Sequence, residues 1–95
     1  MKSAVETLSV YLAQELGPRR IRVNVLAPGA IETDFGGGVV RDDATMNQTI
    51  ASHTALGRVG LPDDIGRAVS LLLSTDAGWI NGQRVEVSGG QQLSA

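Results

Sequence analysis

The fold is decided by the stretch Ile21-Arg22-Val23-Asn24-Val25-Leu26, which runs directly into Ala27-Pro28-Gly29. Apolar β-branched residues at 21, 23 and 25 alternate with polar residues at 22 and 24. This period of two predicts a strand over residues 21–26. A proline followed by a glycine interrupts regular structure, so we expect a sharp turn at residues 27–29.

The residues before this strand predict a helix over residues 2–16. Its apolar side chains recur at spacings of three and four, which places them on one stripe of a helix. The stripe consists of Val5, Leu8, Leu12 and Leu16. Gly17 tolerates a left-handed backbone and Pro18 does not continue a helix, so the helix should end at this point.

A second helix is predicted over residues 62–74. Pro62 suits the first position of a helix. Asp63 and Asp64 follow it, where the positive end of the helix dipole favours negative charge. We interpret these two aspartates as helix-start residues rather than as a catalytic pair. Leu61 is unusual in this context, because a polar N-cap residue is expected before the first turn.

Two weaker patterns complete the chain. A helical stretch is expected within residues 40–55, after the flexible run at residues 36–38, which are all glycine. Alternation over residues 83–88 predicts a last strand with Val85 and Val87 on one face.

The predicted order of elements is helix, strand, helix, helix, strand. Two strands joined through helices favour a parallel pair and an α/β fold. Two strands make a poor sheet by themselves. We therefore expect residues 1–95 to form a single partial domain.

The composition favours a folded protein with no nucleic-acid or membrane partner. Hydrophobic residues make up 42% of the 95 residues, which is enough for a core. The net charge is −2 and the basic residues do not cluster, which argues against nucleic-acid binding. No apolar run approaches the roughly 20 residues of a membrane span. The chain has no cysteine, which excludes disulfides, and we expect a cytoplasmic location.

Five segments, in order, resemble the C-terminal part of the short-chain dehydrogenase/reductases. They match the stretch that begins at the family's catalytic lysine, a helix-to-strand passage, a loop over the nicotinamide, a turn into a helix, and the last strand with its exit. The segments are residues 2–6, 16–24, 27–34, 57–65, and 80–83 with 87–90. The resemblance implies part of a Rossmann-like, doubly wound parallel sheet. It also implies NAD or NADP as cofactor and hydride transfer between the nicotinamide and an alcohol or carbonyl substrate.

The resemblance assigns Lys2 two roles, one catalytic and one in cofactor binding. The matching lysine of the family holds the nicotinamide ribose hydroxyls. Its charge also lowers the pKa of a tyrosine four residues earlier, which is the general acid/base. The alternative is a solvated lysine, as most lysines are.

The resemblance assigns four further cofactor-binding residues to the loop after the first strand. Pro28 and Gly29 form the turn that lets the backbone approach the cofactor. The backbone of Ile31 is expected to meet the nicotinamide carboxamide, and Thr33 to offer its hydroxyl to the cofactor. The alternative is an ordinary tight turn.

Other candidate residues are given structural roles. Residues 36–55 resemble the substrate lid of the family. His53 lies in that segment without a motif that places a carboxylate, a nucleophile or a second metal ligand beside it, so no metal site is predicted. We expect Trp79 to pack rather than to stack on a ligand. The helix over residues 2–16 is expected to mediate a homo-oligomer.

Departures from the family pattern limit the expected activity. The glycine-rich phosphate turn, the catalytic tyrosine and the catalytic serine have no counterpart in the sequence. Tyr11 is no substitute, because Glu15 and not a lysine follows it by four residues. Met1 directly precedes Lys2, which resembles a start at an internal methionine. We expect the isolated chain to be inactive.

Two alternatives to an enzyme part remain open. One is a non-catalytic truncated subunit or interaction protein that associates with itself or with an intact relative. The other, weaker because half of the expected cofactor cradle has no counterpart, is a free-standing ligand-binding module.

Overall fold

A computed structural model describes the backbone of residues 2–91 and the side chains of residues 4–91. Six helices and strands form in chain order. They are α1 (Lys2–Leu16), β1 (Val25–Pro28), α2 (Val39–Asp42), α3 (Ala44–Ser52), α4 (Pro62–Leu73) and β2 (Arg84–Val87). Short 3-10 turns lie at Gly17–Arg19, Phe35–Gly38 and Thr75–Ala77. The predicted helices over residues 2–16 and 62–74 are therefore confirmed to within a residue as α1 and α4. The predicted lid, residues 36–55, contains the two helices α2 and α3.

The two strands form a parallel pair. The N–H of Val25 donates to Gln83 O at 2.8 Å, and the N–H of Gly29 donates to Val87 O at 3.0 Å. Both partners advance by four residues in the same direction, which defines parallel register. Along β2, Val85 and Val87 are half-buried while Arg84 and Glu86 are exposed. The predicted α/β class, the parallel pair and the inward face of β2 are confirmed.

The chain divides into two compact units, and both strands and α4 contribute residues to each. The first unit comprises Met1–Ala27 and Val69–Val85, and the second comprises Pro28–Ala68 and Glu86–Ala95. Among the described residues, Ala13 and Ala77 are the buried apolar residues of the first unit. In the second unit, Val59, the polar residue Thr54 and Gly38 are buried.

Helix α1 buries a small residue rather than its whole apolar stripe. Val5 and Leu8 of the predicted stripe are 54% and 58% exposed, whereas Ala13 is 5% exposed. Gly82 lies against Ala13, since a Cβ built on Gly82 would be 3.6 Å from the Ala13 Cβ. The small residue therefore packs inward, and half of the apolar stripe faces solvent.

The start of β1 also differs from the prediction. Residues 21–24 are not part of the strand, although they alternate as a strand should. The N–H of Val23 donates to Asn81 Oδ1 at 3.0 Å, and Asn24 Oδ1 accepts from the N–H of Gln83 at 3.0 Å. Side-chain amides take the hydrogen bonds that a ladder would use, so regular pairing begins only at Val25 and continues to Pro28.

Two further details correct the sequence analysis. Helix α1 ends at Leu16 as predicted, but the left-handed residue that follows is Arg20, with φ of 61°, and not Gly17. Trp79 does not pack: it is 99% exposed. It follows the 3-10 turn Thr75–Ala77, which closes with a bond from the N–H of Gly78 to Thr75 O at 3.0 Å. Trp79 lies in the next turn, in which the N–H of Ile80 donates to Ala77 O at 3.0 Å.

None of the described helices is both long enough and apolar enough to cross a membrane.

Candidate functional site

The loop that follows β1 is held in place by four hydrogen bonds, all within the second unit. The N–H of Gly29 donates to Val87 O, and the N–H of Ala30 donates to Gln91 Oε1, each at 3.0 Å. Gly60 then donates its N–H to Ala30 O at 3.0 Å and accepts from the N–H of Glu32 at 2.9 Å. The loop is therefore anchored at consecutive backbone positions.

The pairing with Gly60 leaves the backbone N–H and C=O of Ile31 without a bond to Gly60. Gly60 uses both of its backbone groups on the residues that flank Ile31, which forms a parallel bridge between Ile31 and Gly60. In such a bridge the N–H and C=O of the central residue point to the side opposite its partner. A ligand on that side meets one donor and one acceptor of Ile31.

Two glycines permit this close approach. A Cβ on Gly60 would collide with Ile31 Cδ1 and lie 3.3 Å from Ala30 O. A Cβ on Gly29 would lie 2.8 Å from both Gln91 Oε1 and the Ser88 Cβ, and 2.9 Å from the Ser88 Cα. The absent side chain at Gly29 thus has a packing role within the unit, besides the cofactor approach and the tight turn that the sequence analysis considered for it.

Four of the five predicted cofactor-binding residues line one cavity of about 660 Å³ in the second unit. Its lining residues are Pro28, Gly29, Ala30, Ile31, Thr33, Phe35, Val40, Pro62 and Ile65. A volume of this size lies within the usual range for small-molecule sites, and a mostly apolar lining with a few polar groups is typical of them. The cavity lies beyond the carboxyl end of β1, where open α/β sheets hold their ligands.

The polar groups of this cavity include the Thr33 hydroxyl. Thr33 Oγ1 accepts from the N–H of Phe35 at 3.2 Å, which leaves the hydroxyl proton available to a ligand. Phe35 is 91% exposed and begins the Phe35–Gly38 turn. Gly36, Gly37 and Gly38 all have left-handed φ values of 65–77°, which any other residue would adopt only at a cost.

The predicted lid is tied to the loop by a side-chain contact. Asn47 on α3 donates from Nδ2 to Glu32 Oε1 at 2.9 Å and to Val40 O at 2.8 Å. Asp43 is the N-cap residue of helix α3, and its carboxylate accepts from the N–H of Met46 at 3.0 Å. The loop, α2 and the first turns of α3 are thereby connected.

Charged residues lie before and after the glycine turn Phe35–Gly38 in the sequence. Arg41 donates to Asp34 and pairs with Asp42, its Nε lying 2.7 Å from Asp42 Oδ1. The hydrogen bond from Arg41 lowers the pKa of the Asp42 carboxyl and, with the Asp34 contact, raises the pKa of the guanidinium. These groups are exposed, so the pairs add little stability in water.

A bidentate ion pair stabilises the start of α4. Arg58 donates to both carboxylate oxygens of Asp64, at 2.7 and 3.0 Å, and Asp64 Oδ2 also accepts from the N–H of Leu61 at 2.8 Å. The bond from Arg58 is the larger cause, and the Leu61 bond the second, of a pKa of Asp64 held well below its ordinary value. Asp64 thus satisfies the backbone of Leu61, which explains why an apolar residue is accepted there.

Lys2 and His53 are the remaining candidate residues of the sequence analysis. Helix α1 begins at Lys2, but the Lys2 side chain lies outside the described residues. His53 Nδ1 lies 2.8 Å from Thr49 O, a local contact within and just after α3. No group of three or more histidine, aspartate or glutamate residues within the described part of the chain is arranged to hold a metal.

Sequence reasoning missed Gly60 and Gln91 as supports of the loop, and Arg58 as the partner of Asp64. Gly60 and Gln91 each act across a long stretch of chain, and no local period signals such a contact. The bidentate Arg58–Asp64 pair had a partial signal, since an acidic residue at the third helical position often reaches back to the N-cap backbone.

Comparison with known proteins relates the chain to a family of reductases. The sequence model of a family described as enoyl-(acyl carrier protein) reductase matches residues 1–92. The chain is 42% identical over 89 residues to the 7alpha-hydroxysteroid dehydrogenase of Escherichia coli, covering 94% of this chain and 34% of that enzyme. The chain spans about a third of the length of the curated relatives it matches.

Solved structures give the same relationship. A short-chain type dehydrogenase/reductase from Mycobacterium ulcerans superposes with a TM-score of 0.83 at 37% identity, over 96% of this chain and 33% of that one. A 3-oxoacyl-[acyl-carrier protein] reductase from Brucella melitensis, solved with bound NAD, superposes with a TM-score of 0.77 at 34% identity. That match covers 98% of this chain and 32% of the reductase.

Proposed function

The chain belongs to the short-chain dehydrogenase/reductase family, and from this premise we propose that it forms the nicotinamide-binding part of an NAD(P)-dependent oxidoreductase. The proposed reaction transfers a hydride between the nicotinamide and an alcohol or carbonyl substrate. The cofactor supplies the hydride chemistry when bound, and the protein supplies its position. The relatives named above act, by name, on a steroid alcohol and on an acyl-carrier substrate, so only the substrate class is proposed.

The observation that carries the proposal is the cavity beyond β1. It brings together Pro28, Gly29, Ile31 and Thr33, the residues that the family resemblance assigns to the cofactor. The backbone of Ile31 offers a donor and an acceptor on the side away from Gly60, which suits a carboxamide. The Thr33 hydroxyl retains a proton to donate, and the apolar wall excludes water from the ring.

A titration with NADH tests this proposal. We expect the amide signals of Ile31 and Thr33 to shift, as observed by NMR, when NADH is added to a complete enzyme that contains the chain. Thr33→Val keeps the shape and removes the hydroxyl, and it should weaken binding by about two- to tenfold. Thr49→Val on α3 is the matched control, because Thr49 Oγ1 bonds only within its own helix. If neither the Ile31 nor the Thr33 amide signal changed on addition of NADH, the proposal would be refuted.

Lys2 is proposed as the catalytic lysine on the resemblance alone. In a complete enzyme, Lys2→Ala should reduce kcat and move the pH profile upward, because the cation that favours the tyrosinate is removed. Lys2→Arg should restore activity only in part, since a planar guanidinium differs in shape from an ammonium group. A kcat for Lys2→Ala equal to that of the unmodified enzyme would exclude the role.

We propose further that the 95 residues alone do not turn over substrate. Hydride transfer to a carbonyl needs a positioned proton donor, which is typically worth about 10²- to 10⁴-fold in rate. The tyrosine and serine that supply it in the family have no counterpart among these residues. An assay with NADH or NADPH and a panel of carbonyl compounds checks this, and robust turnover by the purified chain would overturn it.

A second candidate, a non-catalytic subunit that associates through α1, is favoured by one specific observation. Val5 and Leu8 are more than half exposed on the same face of α1, as is Tyr11. Exposed apolar faces of this kind promote association. Sedimentation should show a homo-oligomer that Leu8→Lys reduces to a monomer, whereas Leu56→Lys, an exposed change in the second unit, should not. A monomer before mutation would remove this candidate.

A further inference from the structure

The segment after β2 reaches back to the loop through one side chain. Of the four hydrogen bonds that hold the loop, three join backbone to backbone. The fourth runs from the N–H of Ala30 to the side chain of Gln91 at 3.0 Å. It is therefore the bond of these four that a substitution can remove without altering the main chain.

The backbone of this segment is itself firmly fixed. The Ser88 hydroxyl accepts from the N–H groups of Gly90 and Gln91, both at 3.3 Å, and so forms a tight turn. Gly90 O accepts from the N–H of Ala55 at 3.0 Å, and Gln91 forms an antiparallel bridge with Thr54. The backbone around Gln91 is thus held by Thr54 and Ala55, which follow helix α3 of the predicted lid.

The side chain of Gln91 also fills the space beside Gly29. A Cβ on Gly29 would lie 2.8 Å from Gln91 Oε1. Gln91 is half-buried, and its contact with Ala30 is half-buried as well. Packing on Gly29 and bonding to Ala30 place the same amide against two consecutive residues of the loop.

We infer that Gln91 is a positioning residue for residues 29–32, the loop proposed to contact the nicotinamide. It links the residues that follow helix α3 to the backbone just before Ile31. The bond to the Ala30 N–H fixes the peptide between Gly29 and Ala30. This peptide adjoins the Ala30–Ile31 peptide, which carries the Ile31 N–H and whose carbonyl accepts from Gly60. Ordering the loop before the cofactor arrives lowers the entropic cost of binding. This inference rests on the proposed function, because it names the support of the same site.

Two substitutions at Gln91 separate positioning from packing. Gln91→Met keeps the length and removes the amide acceptor, whereas Gln91→Glu keeps an oxygen acceptor at the same distance along the side chain. Gln14→Met is the matched control, because Gln14 is exposed on α1 in the first unit. In the purified protein, three quantities are measured: hydrogen exchange of the Ala30 amide, the NADH dissociation constant from the Thr33 amide shift, and the melting temperature.

Gln91→Met should accelerate exchange at Ala30 and weaken NADH binding, each by about three- to tenfold, the range for one lost neutral hydrogen bond. Gln91→Glu should return both quantities to within about twofold of the unmodified protein, and Gln14→Met should change neither. Unchanged exchange at Ala30 in Gln91→Met would overturn the inference. Equal impairment in both Gln91 variants would overturn it too, since packing alone would then explain the residue.

The two proposals fail in different ways. In the unmodified protein, the Ala30 amide could be protected from exchange while the Ile31 and Thr33 amide signals do not shift with NADH. That result would refute the proposed function. The exchange ratio between Gln91→Met and Gln91→Glu then decides by itself whether Gln91 positions the loop.

Discussion

The two flanks of β1 are held in different ways. Before the strand, residues 21–24 are attached to residues 80–83 mainly through the side chains of Asn24 and Asn81. After the strand, residues 29–32 are attached mainly through their backbone, with Gly60 as the central partner. The upstream flank therefore depends on two asparagine side chains, whereas the downstream flank depends on glycine at positions 29 and 60.

This difference explains why the sequence pattern misplaced β1. The alternation of Ile21, Val23 and Val25 is a real strand pattern, yet asparagine amides take the place of the ladder upstream. Downstream, Pro28 and Gly29 look like a terminator, yet a proline at the end of a strand loses no ladder bond. The alternation of apolar and polar residues thus predicted that the strand exists. Its observed ends differ, because asparagine side chains bond the residues upstream and the strand continues to Pro28 downstream.

The largest effect should come from the downstream flank, at Gly60. Gly60→Val drives a branched side chain into Ile31 and should lower the free energy of unfolding by about 3 kcal/mol. Gly66→Ala in α4 is the matched control, because an added Cβ there meets nothing within 4 Å. That change should instead stabilise the chain by about 0.5–1 kcal/mol. Urea unfolding measures both, and equal effects would remove the distinction between crowded and open glycines.

Gly29→Ala should be the next most harmful change. Its Cβ would press on the Ser88 backbone as well as on Gln91, and backbone cannot move aside as a side chain can. We expect a loss of about 2 kcal/mol in the free energy of unfolding. The same measurement in Gly17→Ala, where no atom lies within 4 Å, provides the comparison. A stable Gly29→Ala protein with weakened NADH binding would restore cofactor approach as the reason for this glycine.

Asn24→Ala probes the upstream flank and should have a smaller effect. It removes a bond donated to Ile80 O at 3.1 Å and one accepted from Gln83 N–H, both exposed. We expect a loss of about 1 kcal/mol, because water replaces exposed partners. Asn47→Ala makes the equivalent deletion in the second unit. If Asn24→Ala cost as much as Gly60→Val, the upstream flank would be as strictly built as the downstream one.

The smallest effect concerns pH and the Arg58–Asp64 pair. The pKa of Asp64 is lowered in the folded chain, so its contribution is present above the ordinary value of 3.8 and is lost as pH falls below it. The urea midpoint should therefore fall more steeply below about pH 4 in the unmodified protein than in Asp64→Asn. Parallel curves for the two proteins would show that the pair adds nothing.

The sequence predicted those parts of the fold that depend on local chemistry. Pro62 with its two aspartates located the start of α4, and the apolar period located α1. The contacts that build the site, such as Gly60 on Ile31 and Gln91 on Ala30, join residues far apart in the chain. Only the fold brings them together, and a glycine or glutamine carries no mark of such a partner. Four candidate site residues followed from the family resemblance, while the residues that support them are evident only in the three-dimensional structure.

Trp79 is the chain's single tryptophan, and its near-complete exposure makes it an optical reporter. An indole surrounded by water emits at long wavelength and is open to dissolved quenchers such as iodide. Any subunit or ligand that covers this part of the first unit would shift the emission toward the blue and shield it from quenching. The protein can therefore be assayed for assembly by its own fluorescence, without an attached dye.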